Sequence, residues 1–212
     1  MVNFFMKLEK LNNINDFLKE NDIINYTIIQ NENLNKFTLD NLEILNSEIL
    51  DTKITYCNLE KSYISNTIFK NCDLSNSNLY NSNLKNVTFD NCNLVGINFS
   101  LNHFDKVNIL NCKADNLILD EARVYNSYFN NSLLREASIQ SCKFKNNIFE
   151  ASNLSYSNFS NTSLYDVDFS TCNINGLTLF EKDLKGIILT EYQALEFVKL
   201  LGITIKEQNL TS

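Results

Sequence analysis

From Ile24 to Leu189 the chain places a large apolar residue at every fifth position. There are 34 positions in this register; 33 are Ile, Leu, Val or Phe, and the exception is Ala114. A surface helix repeats near 3.6 residues and a half-buried strand at 2, so neither element alone produces this spacing. The register never slips. Any insertion must be a multiple of five residues, which leaves no room for a projecting loop.

The neighbours of each centre repeat as well. Two residues before it, from Ser47 to Cys172, stand Ser, Thr, Cys, Ala or Val in 22 of 26 cases; the exceptions are Ile97, Asn102, Leu117 and Asn147. A small residue is expected where two inward side chains share a narrow interior. Two residues after the centre Asn recurs, as in Asn66, Asn71, Asn76, Asn81, Asn86 and Asn91, and Gly96, Gly176 and Gly186 share that column. Asn and Gly tolerate the positive φ that a type II turn requires.

One large and one small inward residue followed by a turn describes one side of a square coil. Four sides make a 20-residue coil, and coils stack at β-sheet spacing, so about eight coils would form a rod on the order of 40 Å long. Residues 20 apart should then lie on one face. Phe69, Phe89, Phe129, Phe149 and Phe169 form such a column, with Ile109 in the gap. The pattern predicts an all-β solenoid, a right-handed quadrilateral β-helix. The triplets Cys72-Asp73-Leu74, Ser77-Asn78-Leu79, Ser82-Asn83-Leu84, Cys92-Asn93-Leu94, Ser152-Asn153-Leu154 and Ser157-Asn158-Phe159 resemble the A(D/N)Lxx consensus of the pentapeptide-repeat family over at least residues 47–189.

An open coil end exposes unpaired strand edges unless it is capped, and both termini depart from the repeat. Residues 4–20 place Phe4, Phe5, Leu8, Leu11, Phe17 and Leu18 in a broken helical pattern, which predicts a short amphipathic helix. Between residues 21 and 46 the small column holds Glu32, Phe37 and Leu42, so irregular coils are expected there. At the other end Thr190 and Gln193 form a capping box opening a helix, and Gly202 is its expected C-cap. The predicted organisation is an N-terminal helical cap over 1–23, the repeat over 24–189, and a C-terminal helix and dimerisation tail over 190–212. That tail carries more apolar surface than a cap needs. Tyr192, Leu195, Phe197, Val198, Leu201 and Ile203 are the candidate two-fold interface, with Ile203-Thr204-Ile205 as a strand that could pair with a second copy.

The run Asp183-Leu184-Lys185-Gly186, Leu189, Tyr192-Gln193-Ala194 and Leu201-Gly202-Ile203 looks like the C-terminal signature of the Qnr-type pentapeptide-repeat proteins, and Asn111-Cys112-Lys113-Ala114 adds to the likeness. The resemblance implies a homodimer joined through the C-terminal segment. It also implies a protein partner, a type II DNA topoisomerase (gyrase or topoisomerase IV), and relief of fluoroquinolone inhibition by a rod of DNA-like shape.

Composition narrows the remaining possibilities. The 212 residues hold 37 Asn, no Pro and no Trp, but 44% hydrophobic content in strict register argues against disorder. A net charge of −7 disfavours a nucleic-acid binder that relies on phosphate neutralisation. The opening residues are too short an apolar run for a signal peptide, and no stretch approaches a membrane span, so the cytoplasm is the expected compartment. All six Cys fall in the small inward column, and Cys72, Cys92 and Cys112 share a face. That alignment admits a metal ladder or a disulfide series, but buried filler is the simpler reading. His103 has no catalytic partner in sequence, no nucleotide or hydrolase motif is present, and neither enzymatic activity nor a cofactor or metal is expected. Asp115, Asp120, Glu121 and Glu136 form a candidate partner-facing acidic patch, with Arg135 one coil above Asp115 and Arg123 stacked on Lys143 as like charges. The alternative is a mixed, solvated surface.

Overall fold

The computed structural model describes residues 8–11 and 13–206. Among them every ladder is parallel and joins residues about 20 apart. Ile44 pairs with Ile64, Ile64 with Leu84, Leu84 with Phe104, and Phe104 with Val124. The chain winds as a four-sided β-helix. Its first side carries the centres from Ile24 to Leu184, the second those from Ile29 to Leu189, the third those from Leu34 to Ile174, and the fourth those from Leu39 to Leu179.

The centres fill the interior. Leu84, Phe89, Leu94 and Phe99, one full circuit, are all 0% exposed. Burying each such side chain contributes about 1.5–3 kcal/mol, and one recurs every five residues. The Phe column stacks as expected: Phe69 on Phe89 at 4.9 Å and 17°, Phe129 on Phe149 at 4.6 Å and 6°. At Ala114 the volume is exchanged rather than lost. Ala114 is fully buried, and so are Ile97 and Leu117, the large residues of the adjoining small column.

That small column does more than save space. Its hydroxyls accept the amide hydrogen of the residue one coil earlier, as Ser77 Oγ does from Cys57 N at 3.0 Å, and donate to a carbonyl, Ser77 Oγ to Ile54 O at 2.6 Å. Where Asn replaces Ser, the amide oxygen takes over the accepting role: Ser82 N donates to Asn102 Oδ1 at 2.7 Å and Ser127 N to Asn147 Oδ1 at 3.0 Å. The corners turn through left-handed backbone at every fifth residue, from Tyr26 through Asn66 (φ 49) to Asp166 (φ 61). Asn is common there for a second reason, because its amide bridges successive coils. Asn86 Nδ2 donates to Asn66 Oδ1 at 2.9 Å and Asn66 Nδ2 to Asn46 Oδ1 at 3.0 Å. Non-Asn corners such as Leu101 and Ala151 adopt the same left-handed conformation.

The two ends differ from expectation in detail. The coils between 21 and 46 are regular: Ile24 pairs with Ile44, Ile29 with Ile49 and Leu34 with Ile54. Continuous backbone pairing overrides the loss of small residues in that column. Phe4 and Phe5 lie outside the described residues, and the described part of 4–20 is not the single helix expected there. Glu9–Leu11 is a strand paired with Thr27–Ile29, and only Ile14–Phe17 (α1) is helical. Four residues form barely one turn, and α1 is held by tertiary contacts instead of by its own length. Ile14 and Leu18 are buried over the first coil, while Glu32 Oε1 accepts from Asn13 N at 3.2 Å.

At the far end Glu191–Val198 (α2) follows the predicted capping box. Thr190 N donates to Gln193 Oε1 at 2.9 Å and Gln193 N to Thr190 Oγ1 at 3.2 Å. Gly202 (φ +69) ends the helical segment, and Ile203 N reaches back to Val198 O, the six-to-one bond of a Schellman cap. Gln193 also closes the rod: its Nε2 donates to Phe169 O at 2.8 Å and Cys172 O at 2.9 Å, two carbonyls of a late coil.

Candidate interaction surfaces

A filled rod offers its four sides and its ends, and little interior. The enclosed void at the N-terminal end is about 30 Å³, about one water in size, lined by aliphatic residues such as Ile24, Ile44 and Ile64. Among the described residues no group of three His, Cys, Asp or Glu side chains is placed to hold a metal ion. His103 is half-buried on the first side with its ring edge-on to Tyr125 at 5.4 Å.

The six thiols are free and buried. Burial pushes the Cys142 thiol up to about 12. Cys92 is held up by the thiols of Cys112 and Cys72 that bracket it, and by burial. Hydrogen bonding with Cys92 draws the Cys72 and Cys112 thiols down, but burial and inward orientation are common to all six and match the reading of filler.

The four predicted acidic residues do not form one patch. Asp115 belongs to the third side, where Arg135 grips it with Nε at 2.9 Å and Nη2 at 2.5 Å. The Arg135 guanidinium holds the Asp115 carboxyl below the usual carboxylate range. Glu136 stands exposed at the following corner. Asp120 and Glu121 lie on the fourth side, and Asp120 is occupied by Ser138 Oγ at 2.7 Å and Gln140 N at 2.9 Å. Sorting charges by the observed 20-residue register separates the sides. Between residues 87 and 181 the second side carries Asp90, Glu150 and Asp168, the fourth carries Asp120, Glu121 and Glu181, and neither carries Lys or Arg in its outward columns. The third side is balanced. Six of the 18 cations gather on the first, a feature that the charges read one by one along the sequence did not reveal.

Of the six candidate interface residues, Tyr192 is 83% exposed, Ile203 53%, and Leu195 and Leu201 each 49%. Phe197 is 6% exposed and joins the core; Val198 is half-buried. Phe197 is therefore cap and not contact surface, because α2 turns that side of itself onto the last coils. Ile203–Ile205 is exposed and forms no strand among the described residues; residues 207–212 of the proposed tail lie outside them.

A four-sided parallel β-helix wound in five-residue steps, with filled interior and left-handed corners, is the architecture of the pentapeptide repeat. The comparison of sequences agrees: residues 53–119 match the pentapeptide repeat region family and residues 149–179 the pentapeptide repeats (8 copies) family. These two segments of the chain carry pentapeptide repeats. Among solved structures it is similar to HetL, a pentapeptide-repeat protein involved in heterocyst differentiation regulation in the cyanobacterium Nostoc sp. strain PCC 7120, with 14% identity and TM-score 0.52 over 85% of this chain and 98% of that one. It also matches full-length QnrB1, a plasmid-mediated fluoroquinolone resistance protein, with 18% identity and TM-score 0.46 over 83% of this chain and 100% of that one. The likeness to HetL concerns the fold alone. No curated protein matches the chain in sequence.

Proposed function

We propose that the protein is a cytoplasmic, non-catalytic docking rod that binds another protein along its sides. The observation that carries this is the filled interior: among the described residues the interior void is about 30 Å³ and apolar, and the depressions on the sides are shallow and open, whereas four long sides are displayed. In its finer form the partner is a type II DNA topoisomerase, gyrase or topoisomerase IV, and docking relieves fluoroquinolone inhibition. Two features support that form. The C-terminal run Asp183–Ile203 resembles the Qnr type, and over residues 87–181 the second and fourth sides carry carboxylates without cations, suited to a basic DNA-binding groove on the partner. Dimerisation uses Tyr192, Leu195, Leu201 and Ile203, the exposed apolar residues of the C-terminal segment.

The test is supercoiling by purified gyrase, and decatenation by topoisomerase IV, with ciprofloxacin and increasing amounts of the protein. Restored activity at near-equimolar dose is expected. No rescue, together with no binding to either enzyme at low salt, removes the topoisomerase reading and leaves a scaffolding rod for an unrelated protein. Sedimentation of the wild type and of Leu195→Arg reads the dimer, which the substitution should dissociate.

A further inference from the structure

The first side of the rod has a charge pattern that the docking reading leaves unused. From Asn83 to Gly186 its outward and corner positions hold Lys85, Lys106, Arg123, Lys143, Lys145 and Lys185, all exposed. Against them stand Asp105 and Asp166; Asp183, in the same column, is buried and accepts the amide hydrogens of Asn161 at 2.9 Å and Phe180 at 3.0 Å. Asp105 is half-buried and engaged by Asn126 Nδ2 at 3.0 Å. Among the described residues none of the six cations forms an ion pair, although Lys19, Lys70 and Arg135 elsewhere do. The register sets Arg123 directly against Lys143. Like charges opposed across a ladder are destabilising, and among the described residues neither member of this pair is joined to a carboxylate in an ion pair. A shallow depression of about 210 Å³, lined by Tyr63, Asn83, Lys85, His103 and Asp105, lies on the same side.

We infer that the first side is a docking strip for an acidic protein segment lying along the rod axis. The inference rests on the docking-rod reading and goes beyond it in naming the face and the chemistry of what it holds. The width of the strip selects the occupant. It is one side of a square coil, and the second and fourth sides that border it carry carboxylates only over residues 87–181. A membrane surface or a DNA duplex would lay its own negative charge over those carboxylates, whereas a single extended chain fits between them. A single nucleic-acid strand needs open aromatic faces on which to stack its bases. Here His103 and Tyr125 pack edge to face against each other at 80°, the exposed rings of this side, Tyr63 and Tyr165, stand about five coils apart and give no continuous stacking platform, and the net charge of −7 opposes phosphates at longer range. Three coil steps from Lys85 to Lys145 cover about 14 Å, the span of three same-face side chains in an extended peptide.

The experiment measures fluorescence anisotropy of a labelled peptide of eight alternating Ser-Glu pairs against the full chain. Binding at low salt is expected, weakening as salt screens the charges. The triple variant Arg123→Glu/Lys143→Glu/Lys145→Glu should lower affinity at least tenfold, while Lys53→Glu/Lys113→Glu on the third side should change it less than twofold. Lys143→Glu alone places a carboxylate against Arg123, so it should raise the thermal midpoint while weakening binding, which separates loss of docking from loss of fold. Equal binding by wild type and triple variant overturns the inference, as does an equal loss in the third-side control. Tighter binding of an oligothymidylate of matched charge, or of phosphatidylserine vesicles, overturns the assignment to a protein segment. The peptide measurement contains no topoisomerase, so failure to rescue supercoiling with peptide binding intact counts against the topoisomerase reading alone.

Discussion

Asn102 and Asn147 occupy equivalent positions in the small column, and the same substitution should have opposite effects at the two. Each accepts a backbone amide hydrogen through Oδ1, at 2.7 and 3.0 Å. The other half of the amide is treated differently. Asn147 Nδ2 donates to Val124 O at 2.7 Å, whereas Asn102 Nδ2 is buried with no partner among the described residues. An unsatisfied buried donor costs about 1–3 kcal/mol, and a satisfied neutral hydrogen bond contributes about 0.5–1.5 kcal/mol. Asn→Ser keeps an acceptor and removes the amide nitrogen, as Ser77, Ser132 and Ser152 do in the same column. The void it opens, roughly 25 Å³ at about 24 cal/mol per Å³, costs ~0.6 kcal/mol. Asn102→Ser should therefore stabilise by about 1 kcal/mol, whereas at position 147 a serine hydroxyl can donate to the same Val124 carbonyl, as Ser77 does to Ile54 O, so Asn147→Ser loses only volume and should destabilise by about 0.6 kcal/mol. In a chain of this size 1 kcal/mol moves the thermal midpoint by about 2–4 °C. Circular dichroism melts of both variants beside the wild type measure this directly. A lowered midpoint for Asn102→Ser, or shifts of one sign at both positions, would show that volume, not hydrogen-bond satisfaction, governs this column.

Gly176 (φ +68) sits under the Tyr156 ring, and a Cβ there would meet Tyr156 Cδ1 at 2.6 Å. Since Leu101 and Ala151 accept comparable φ, the ring is the decisive obstacle; Gly176→Ala should cost about 1–2 kcal/mol, and most of the cost should vanish in a Tyr156→Ala background when the four proteins are compared by urea unfolding. The Asp115–Arg135 pair holds the Asp115 carboxyl down, so its stabilisation is complete above about pH 4, the unfolded carboxylate range, and is lost as pH falls through the lowered folded value. Asp115→Asn should accordingly melt lower than wild type at pH 7, by about 1 kcal/mol in a partly exposed pair, and the gap should close in acid as the carboxyl protonates; a gap that persists there would assign the effect to packing. The six buried thiols should resist alkylation at pH 8 in the folded protein and react together on denaturation, as mass spectrometry of iodoacetamide-treated samples would read; selective labelling of any one while the fold is intact would contradict the burial.

The sequence by itself determined the coil. A five-residue apolar register without a slip admits one way of burying every centre, because each inward residue must be followed by a turn before the next. The 20-residue ladders, the Phe column, the capping box at Thr190–Gln193 and the Asp115–Arg135 pair were all legible in the residues, the ladders and the pair because residues 20 apart are neighbours in the sheet. Only the tertiary structure decided matters that depend on contacts outside the repeat. The N-terminal segment became a strand and one helical turn, because the edge of the coil at Thr27–Ile29 offers backbone partners that an isolated amphipathic helix lacks. Regular pairing extended through coils whose small column is filled with Glu32, Phe37 and Leu42, because backbone hydrogen bonds persist where side-chain volume is wrong. Phe197 turned inward while Tyr192 stayed out, a choice set by how α2 lies on the last coils. The separation of charge over residues 83–186 into a basic side, two acidic sides and a balanced one was present in the residue types all along. It takes form only when the chain is wound, because winding brings Arg123 and Lys143, 20 residues apart, into one ladder and sets the carboxylates of the neighbouring columns on other sides.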